Sequence, residues 1–228
     1  MRQATSSMGY LRVGIVTSVF VLIAALLLMA AAPLAAQEPR LAKRLPEPAL
    51  GQVDAILDAA RAGRLPTEPL IDRALEGIAK GAPPALIVAA VNRLRDELTA
   101  ARTAFGEVAS VAELVAGASA LRAGARSKDL AELRSLRQSQ SLTVAVAVLA
   151  DLVVAGVPAD AATGAVLALA SEAADADYVS FRRDVQRDIA QGASPAAALG
   201  VRLRTALELA AAPAGNQGTR GGRRRQKP

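Results

Sequence analysis

Residues 152–169, LVVAGVPADAATGAVLAL, end one apolar helical run, turn at Gly156 and begin another after Pro158. A glycine there fits a left-handed helix cap, because it has no Cβ to penalise positive φ. A proline two residues on suits the start of the next helix, where its fixed φ is favourable and its missing N–H would have no partner anyway. The joint recurs as GIAKGAPPALIVAAV at 77–91 and DIAQGASPAAALGV at 188–201. Gly63, Gly81, Gly124, Gly156 and Gly192 each follow a helical run, and Pro66, Pro84, Pro158 and Pro195 follow four of them within three residues. At Gly124 the proline is replaced by Ser127, the weakest copy. The apolar residue between, such as Val157 or Ala82, is expected to tuck against the preceding helix. Joints this short predict that consecutive helices pack as hairpins.

Outward from that stretch, helical periodicity fills the chain. Leu50, Val53, Ile56, Leu57 and Ala60 form one apolar stripe, and Thr67 is placed to cap a helix carrying Leu70, Ile71, Ala74, Leu75 and Ile78. Leu86, Ile87, Ala90, Val91, Leu94, Leu98 and Ala101 continue at steps of three and four, the spacing of an amphipathic helix. Ser110 and Glu113 make a capping-box pattern. Ser127 reads as the cap before Leu130, Leu133 and Leu136. Ser141 opens LTVAVAVLADLVVAG, which is nearly all apolar and so is expected at the centre. Its alternating valines leave a short strand as the alternative. Helices near 158–171, 175–191 and 195–211 complete the set. The glycines are spaced 18, 43, 32 and 36 residues apart, unlike the fixed period of a tetratricopeptide or ankyrin array. The expected fold is all-α, an irregular bundle or short curved stack of helical hairpins joined by Gly-x-Pro corners.

Composition narrows the chemistry. Hydrophobic residues are 52 % of the chain but aromatics only 2 %, so the core must be Leu, Val, Ile and Ala at close helix distances. Cysteine and histidine are both missing, which excludes disulfides, thiolate metal sites, a lipoprotein anchor and the commonest nucleophile–base pairs. Arginine outnumbers lysine 23 to 4, a coding bias of GC-rich bacterial genomes. The net charge of +6 is unevenly placed: residues 37–212 hold 20 basic and 21 acidic side chains. A near-neutral body argues against a nucleic-acid surface.

Residues 1–36 read as a signal peptide. Arg2 and Arg12 precede the uncharged run Val13–Ala32, and MAAAPLAAQEP supplies small residues for cleavage after Ala36 or, second, after Ala32. The same run is long enough to remain as an uncleaved anchor. Either way the body is expected outside the cytoplasm, periplasmic or secreted, or held at the inner membrane. Residues 37–47 are expected to be a linker, 48–211 the helical domain and 212–228 a disordered basic tail. In that tail Arg220, Arg223, Arg224, Arg225 and Lys227 are candidate anion-binding residues, each contributing about 1 kcal/mol near an anionic surface.

No catalytic site, cofactor or metal is expected. Asp177, Asp184 and Asp188 in DADYVSFRRDVQRD share a helical face that could hold a hard cation. Arg182, Arg183 and Arg187 beside them favour a solvated charged surface instead. Ser127 and Lys128 are adjacent, not a helical turn apart. Glu172 offers a carboxylate for an envelope enzyme, but sugar clefts need aromatic platforms and the body has only Phe105, Tyr178 and Phe181. The favoured reading is an exported bacterial helical protein, a non-catalytic interaction or scaffold module of the envelope. It would bind a protein partner or its own copy, with loose tail contact to anionic polymer or lipid. The alternatives are an envelope enzyme using carboxylates and a membrane-anchored helical domain.

Overall fold

The computed structural model describes residues 38–211. Among them are ten α-helices and no strand: α1 (Pro39–Ala42), α2 (Glu47–Ala62), α3 (Glu68–Ala79), α4 (Pro84–Phe105), α5 (Val111–Ala123), α6 (Ser127–Leu136), α7 (Thr143–Val154), α8 (Ala159–Ala168), α9 (Asp175–Ala190) and α10 (Pro195–Ala211). The fold is all-α, and the short strand weighed within 142–156 is helix α7. The expected signal peptide and the tail residues Arg220, Arg223, Arg224, Arg225 and Lys227 lie outside the described residues.

The five corners share one pair of backbone bonds. At the 156 corner the Val157 N–H donates to Leu152 O at 3.0 Å and the Gly156 N–H to Val153 O at 2.9 Å. This crossed pair answers two carbonyls that the helix end leaves open, and it needs a left-handed residue. Gly156 supplies it, with φ +94°, and Val157 beyond it is buried. Gly81, Gly124 and Gly192 also have positive φ and the crossed bonds; beyond them Ala125 is buried, Ala82 half-buried and Ala193 exposed.

The corner at 63 is displaced by one residue. Gly63 has φ −81° and is not left-handed; Arg64 takes that conformation at φ +54°. The crossed bonds accordingly run from Leu65 N–H to Ala60 O and from Arg64 N–H to Arg61 O. The reason lies in the next side chain. With Gly63 left-handed, Arg64 would be the residue tucked against the helix, whereas the observed register buries Leu65. Arg102 Nη2 donates to Arg64 O at 2.9 Å and helps hold the strained residue. Two substitutions measure these caps. Gly156→Val is expected to lower unfolding free energy by about 2 kcal/mol, because a branched side chain is placed at positive φ. Arg64→Gly is expected to raise it by about 1 kcal/mol. Urea unfolding that moves neither midpoint would contradict this account.

Helix starts differ from expectation at three places. Thr67 flanks α3 without a side-chain cap bond, since its own backbone is already helical at φ −86°, ψ −27°. Arg126, not Ser127, is the N-cap of α6, and its guanidinium bonds Asp129 at 2.8 Å. Helix α7 begins at Thr143, with Ser141 Oγ accepting the Thr143 N–H at 3.2 Å. Pro158 is the N-cap of α8, Pro83 and Pro84 open α4, and Pro195 opens α10.

The hairpin expectation holds at three of the five corners, 81, 156 and 192, and also across the turn at Gly106. Helices α3–α4, α4–α5, α7–α8 and α9–α10 pack on each other as sequence neighbours. Elsewhere the extensive contacts skip one helix, α2 on α4, α4 on α6, α5 on α7 and α7 on α9, with smaller ones of α6 on α8 and α8 on α10. A corner fixes the direction in which a helix departs, while its apolar stripe selects the neighbour that buries it. The result is an irregular stack whose core runs through Leu50, Leu57, Leu98, Leu114, Leu133 and Leu152. Helix α7 contributes Ala145, Val146, Val148, Leu149, Ala150 and Leu152 to that core. It packs against α5, α8 and α9, the central place its composition predicts. Part of the expected linker also joins the body, because Leu41 in α1 and Leu45 in the turn beyond it are both buried.

Candidate functional site

Helices α3 and α5 both pack on α4, so a groove remains between their outward faces. Pro69, Asp72, Arg73 and Glu76 of α3 form one wall, and Val115, Ser119 and Arg122 of α5 the other, with Leu94 of α4 between them. The groove has a volume of about 400 Å³ and is open to solvent. Its floor is apolar: Leu94 is 8 % exposed and Val115 37 %.

The rim charges are largely matched. Glu76 accepts from Arg73 at 3.0 Å and from Lys80 at 2.5 Å. The Lys80 hydrogen bond, then the charges of Arg73 and Lys80, hold its carboxyl below the ordinary value. Arg122 is paired with Glu97. Ser119 Oγ donates back to Val115 O at 3.0 Å, a common use of a helical serine that leaves it without an activating base. The groove therefore sets an apolar floor beside matched ion pairs, with Asp72 on its rim lacking an ion-pair partner among the described residues.

A second groove, of about 310 Å³, lies at the α9–α10 corner and is lined by Asp188, Gln191, Ala193, Ala197, Ala198 and Val201. Asp188 receives two bonds of 2.7 Å from Arg202, and these keep its carboxyl below the ordinary value. The other two carboxylates of the expected acidic face are used separately. Asp177 caps the Ala174 N–H at 2.8 Å, and Asp184 pairs with Arg187. Among the described residues no three acidic side chains converge as metal ligands. Glu172, Ser171, Ser127 and Lys128 are exposed. The corner residues Gly63, Gly81, Gly124, Gly156 and Gly192 shape helix ends and line neither groove.

The densest polar cluster is internal, and its long-range part has no sequence signature. Ser110 and Glu113 form the expected capping box at the start of α5. Glu113 goes further: Oε1 also accepts the Leu142 N–H at 2.9 Å and Arg134 Nη2 at 2.5 Å. Burial pushes the Glu113 carboxyl up, but the Leu142 and Ser110 amides and Arg134 outweigh it and hold it at about 2. Arg134 then donates to the carbonyls of Arg137 and Gln140 at 3.3 and 3.1 Å. Arg137, 2 % exposed, donates to Ala173 O at 2.7 Å and Asp175 at 3.0 Å. Its guanidinium lies 5.2 Å from the centre of the Tyr178 ring. This clasp pins residues 137–142 where α6 and α7 make no extensive contact with each other. Compared with known proteins, the chain matches no family model, no curated protein and no solved structure.

Proposed function

We propose that the protein is an exported, non-catalytic interaction or scaffold module of the bacterial envelope. The observation that carries this reading is the α3–α4–α5 groove, with an apolar floor, rim charges that are paired except for Asp72, and a serine engaged with its own helix. The terminal helix adds exposed apolar surface at Val201 and Leu209, 59 % and 68 % exposed. The competing reading, a carboxylate enzyme, draws no support from Asp177, Asp184 and Asp188, which bond different partners. Among the described residues no helix is long and apolar enough to cross a membrane, so anchoring would fall to the leader.

A pull-down from native envelope extract tests the proposal with residues 37–228, residues 37–212 and full-length mature Val115→Arg. The expected result is one protein retained by the first two and lost from the third. Retention by the full chain alone, with release by salt, would instead favour the five tail cations and an anionic polymer or lipid surface.

A further inference from the structure

Four helices end at a left-handed glycine: α3 at Gly81, α5 at Gly124, α7 at Gly156 and α9 at Gly192. The later corners rest on one another. A Cβ built on Gly124 would touch the Ala159 methyl at 3.4 Å, and one built on Gly156 would touch the Pro195 ring at 3.4 Å. Counting back from each glycine therefore gives the same depth on α5, α7 and α9, which also pack in that order. The groove extends this register to α3. There Asp72 and Glu76 share a cleft with Val115 and Ser119, and both pairs stand nine and five residues before their glycines.

Along this face the charges at the two ends are opposite in sign. Nine, eight and five residues before its glycine, α3 carries Asp72, Arg73 and Glu76; at the same depths α9 carries Arg183, Asp184 and Arg187. Every sign is reversed. The two helices between are apolar at the nine-residue depth, with Val115 on α5 and Ala147 on α7. One turn further back, Val111 is 57 % exposed. Within one chain Asp184 already pairs with Arg187, and Arg183 reaches it only at 3.5 Å, leaving the Arg183 side chain 68 % exposed. Residues 1–37 and 212–228 contain no Asp or Glu, so no acidic side chain from those segments is available to Arg183.

We propose that the face made by α3, α5, α7 and α9 pairs with the same face of a second copy. The inference rests on the interaction-module reading and names the partner of that surface. A two-fold axis parallel to the helices, between α5 and α7, sets α3 against α9 of the other copy and α5 against its α7. Asp72 then meets Arg183, Arg73 meets Asp184 and Glu76 meets Arg187, with Val115 over Ala147 at the centre. Each contact occurs twice, as an isologous interface requires. An axis across the helices would instead set α3 on α3 and bring Asp72 toward Glu76, so like-charge repulsion selects the first arrangement. Four helices about 18 Å long at spacings of roughly 10 Å present about 700 Å², close to the roughly 800 Å² that each partner of a stable pair covers.

Analytical ultracentrifugation of residues 37–228 is expected to show dimers at micromolar concentration. Asp72→Arg or Arg183→Asp alone sets like charges across both symmetric contacts and is expected to weaken pairing about tenfold. The two together exchange the signs and are expected to restore it, a rescue that a role within one chain would not produce. Both side chains are exposed, so the variants should fold. The chain has no cysteine, which lets cross-linking report the axis. Mixed Val115→Cys and Ala147→Cys chains are expected to link positions 115 and 147 under mild oxidation, faster than Val115→Cys chains link to each other. A monomeric chain, a dimer indifferent to both charge changes, or preferential linkage of 115 to 115 would overturn the pairing. The envelope pull-down separates this proposal from the reading beneath it. A monomer that still captures a protein through Val115 leaves the interaction module standing without self-pairing, whereas a monomer that captures nothing overturns both.

Discussion

Glu113→Ala is expected to lower the unfolding free energy by about 4 kcal/mol at neutral pH. The substitution removes the carboxylate that accepts the Leu142 N–H, the Ser110 N–H and the Arg134 guanidinium. Leu142 is fully buried, so water reaches its amide poorly, and an orphaned buried donor costs its full desolvation. Arg134 retains two carbonyl partners, which keeps the loss from being larger. Urea unfolding followed by circular dichroism measures it, and a loss below about 1 kcal/mol would mean that the clasp is already solvated.

Acid should reproduce part of this effect. The Glu113 carboxyl stands at about 2 in the folded chain against an ordinary value of 4.5, so the folded state binds its proton more weakly than the unfolded state. Its stabilisation is therefore complete above pH 4.5 and is lost as pH falls from there toward 2. At 1.36 kcal/mol per unit, the contribution is about 3 kcal/mol. Glu113→Gln should flatten the fall in stability across that window, and an unchanged slope would move the acid sensitivity to other carboxylates.

Gly117→Val is expected to cost about 3 kcal/mol or to prevent folding. A Cβ built on Gly117 would stand 2.6 Å from Phe105 Cε2 and 2.8 Å from Ala101 Cβ. The alanine methyl is rooted in the α4 backbone and cannot turn aside. The Phe105 ring is 2 % exposed, with the Arg134 guanidinium 5.9 Å from its centre, so it has little room to swing. Filling a helical glycine ordinarily gains up to about 1 kcal/mol in helix propensity, less for a branched residue. The clash exceeds that gain. Gly51→Ala is the control: it is helical and exposed, with nothing within 4 Å of a new Cβ, and it should stabilise the chain by about 0.5–1 kcal/mol. If Gly117→Val unfolds at the same urea concentration as wild type, α4 and α5 do not approach as closely as described.

The sequence alone determined what depends on a few adjacent residues. Apolar steps of three and four placed the helices, and the runs expected near 175–191 and 195–211 are α9 and α10. The capping box at Ser110 and Glu113 and the left-handed glycines at 81, 124, 156 and 192 were legible for the same reason. Only the tertiary structure decided between Gly63 and Arg64, because the choice turns on which following side chain, Arg64 or Leu65, reaches the core. It likewise decided that α2 packs on α4 rather than extensively on α3, that Gly117 faces Phe105, and that Glu113 receives the amide of Leu142 from 29 positions away. The groove over Leu94 belongs with these, since its walls are set by where two stripes meet a third helix. Local spacing encodes the shape of each helix and the manner of its ending. Partners far apart in the chain are selected by close packing of whole faces, and no short pattern of residues records that choice.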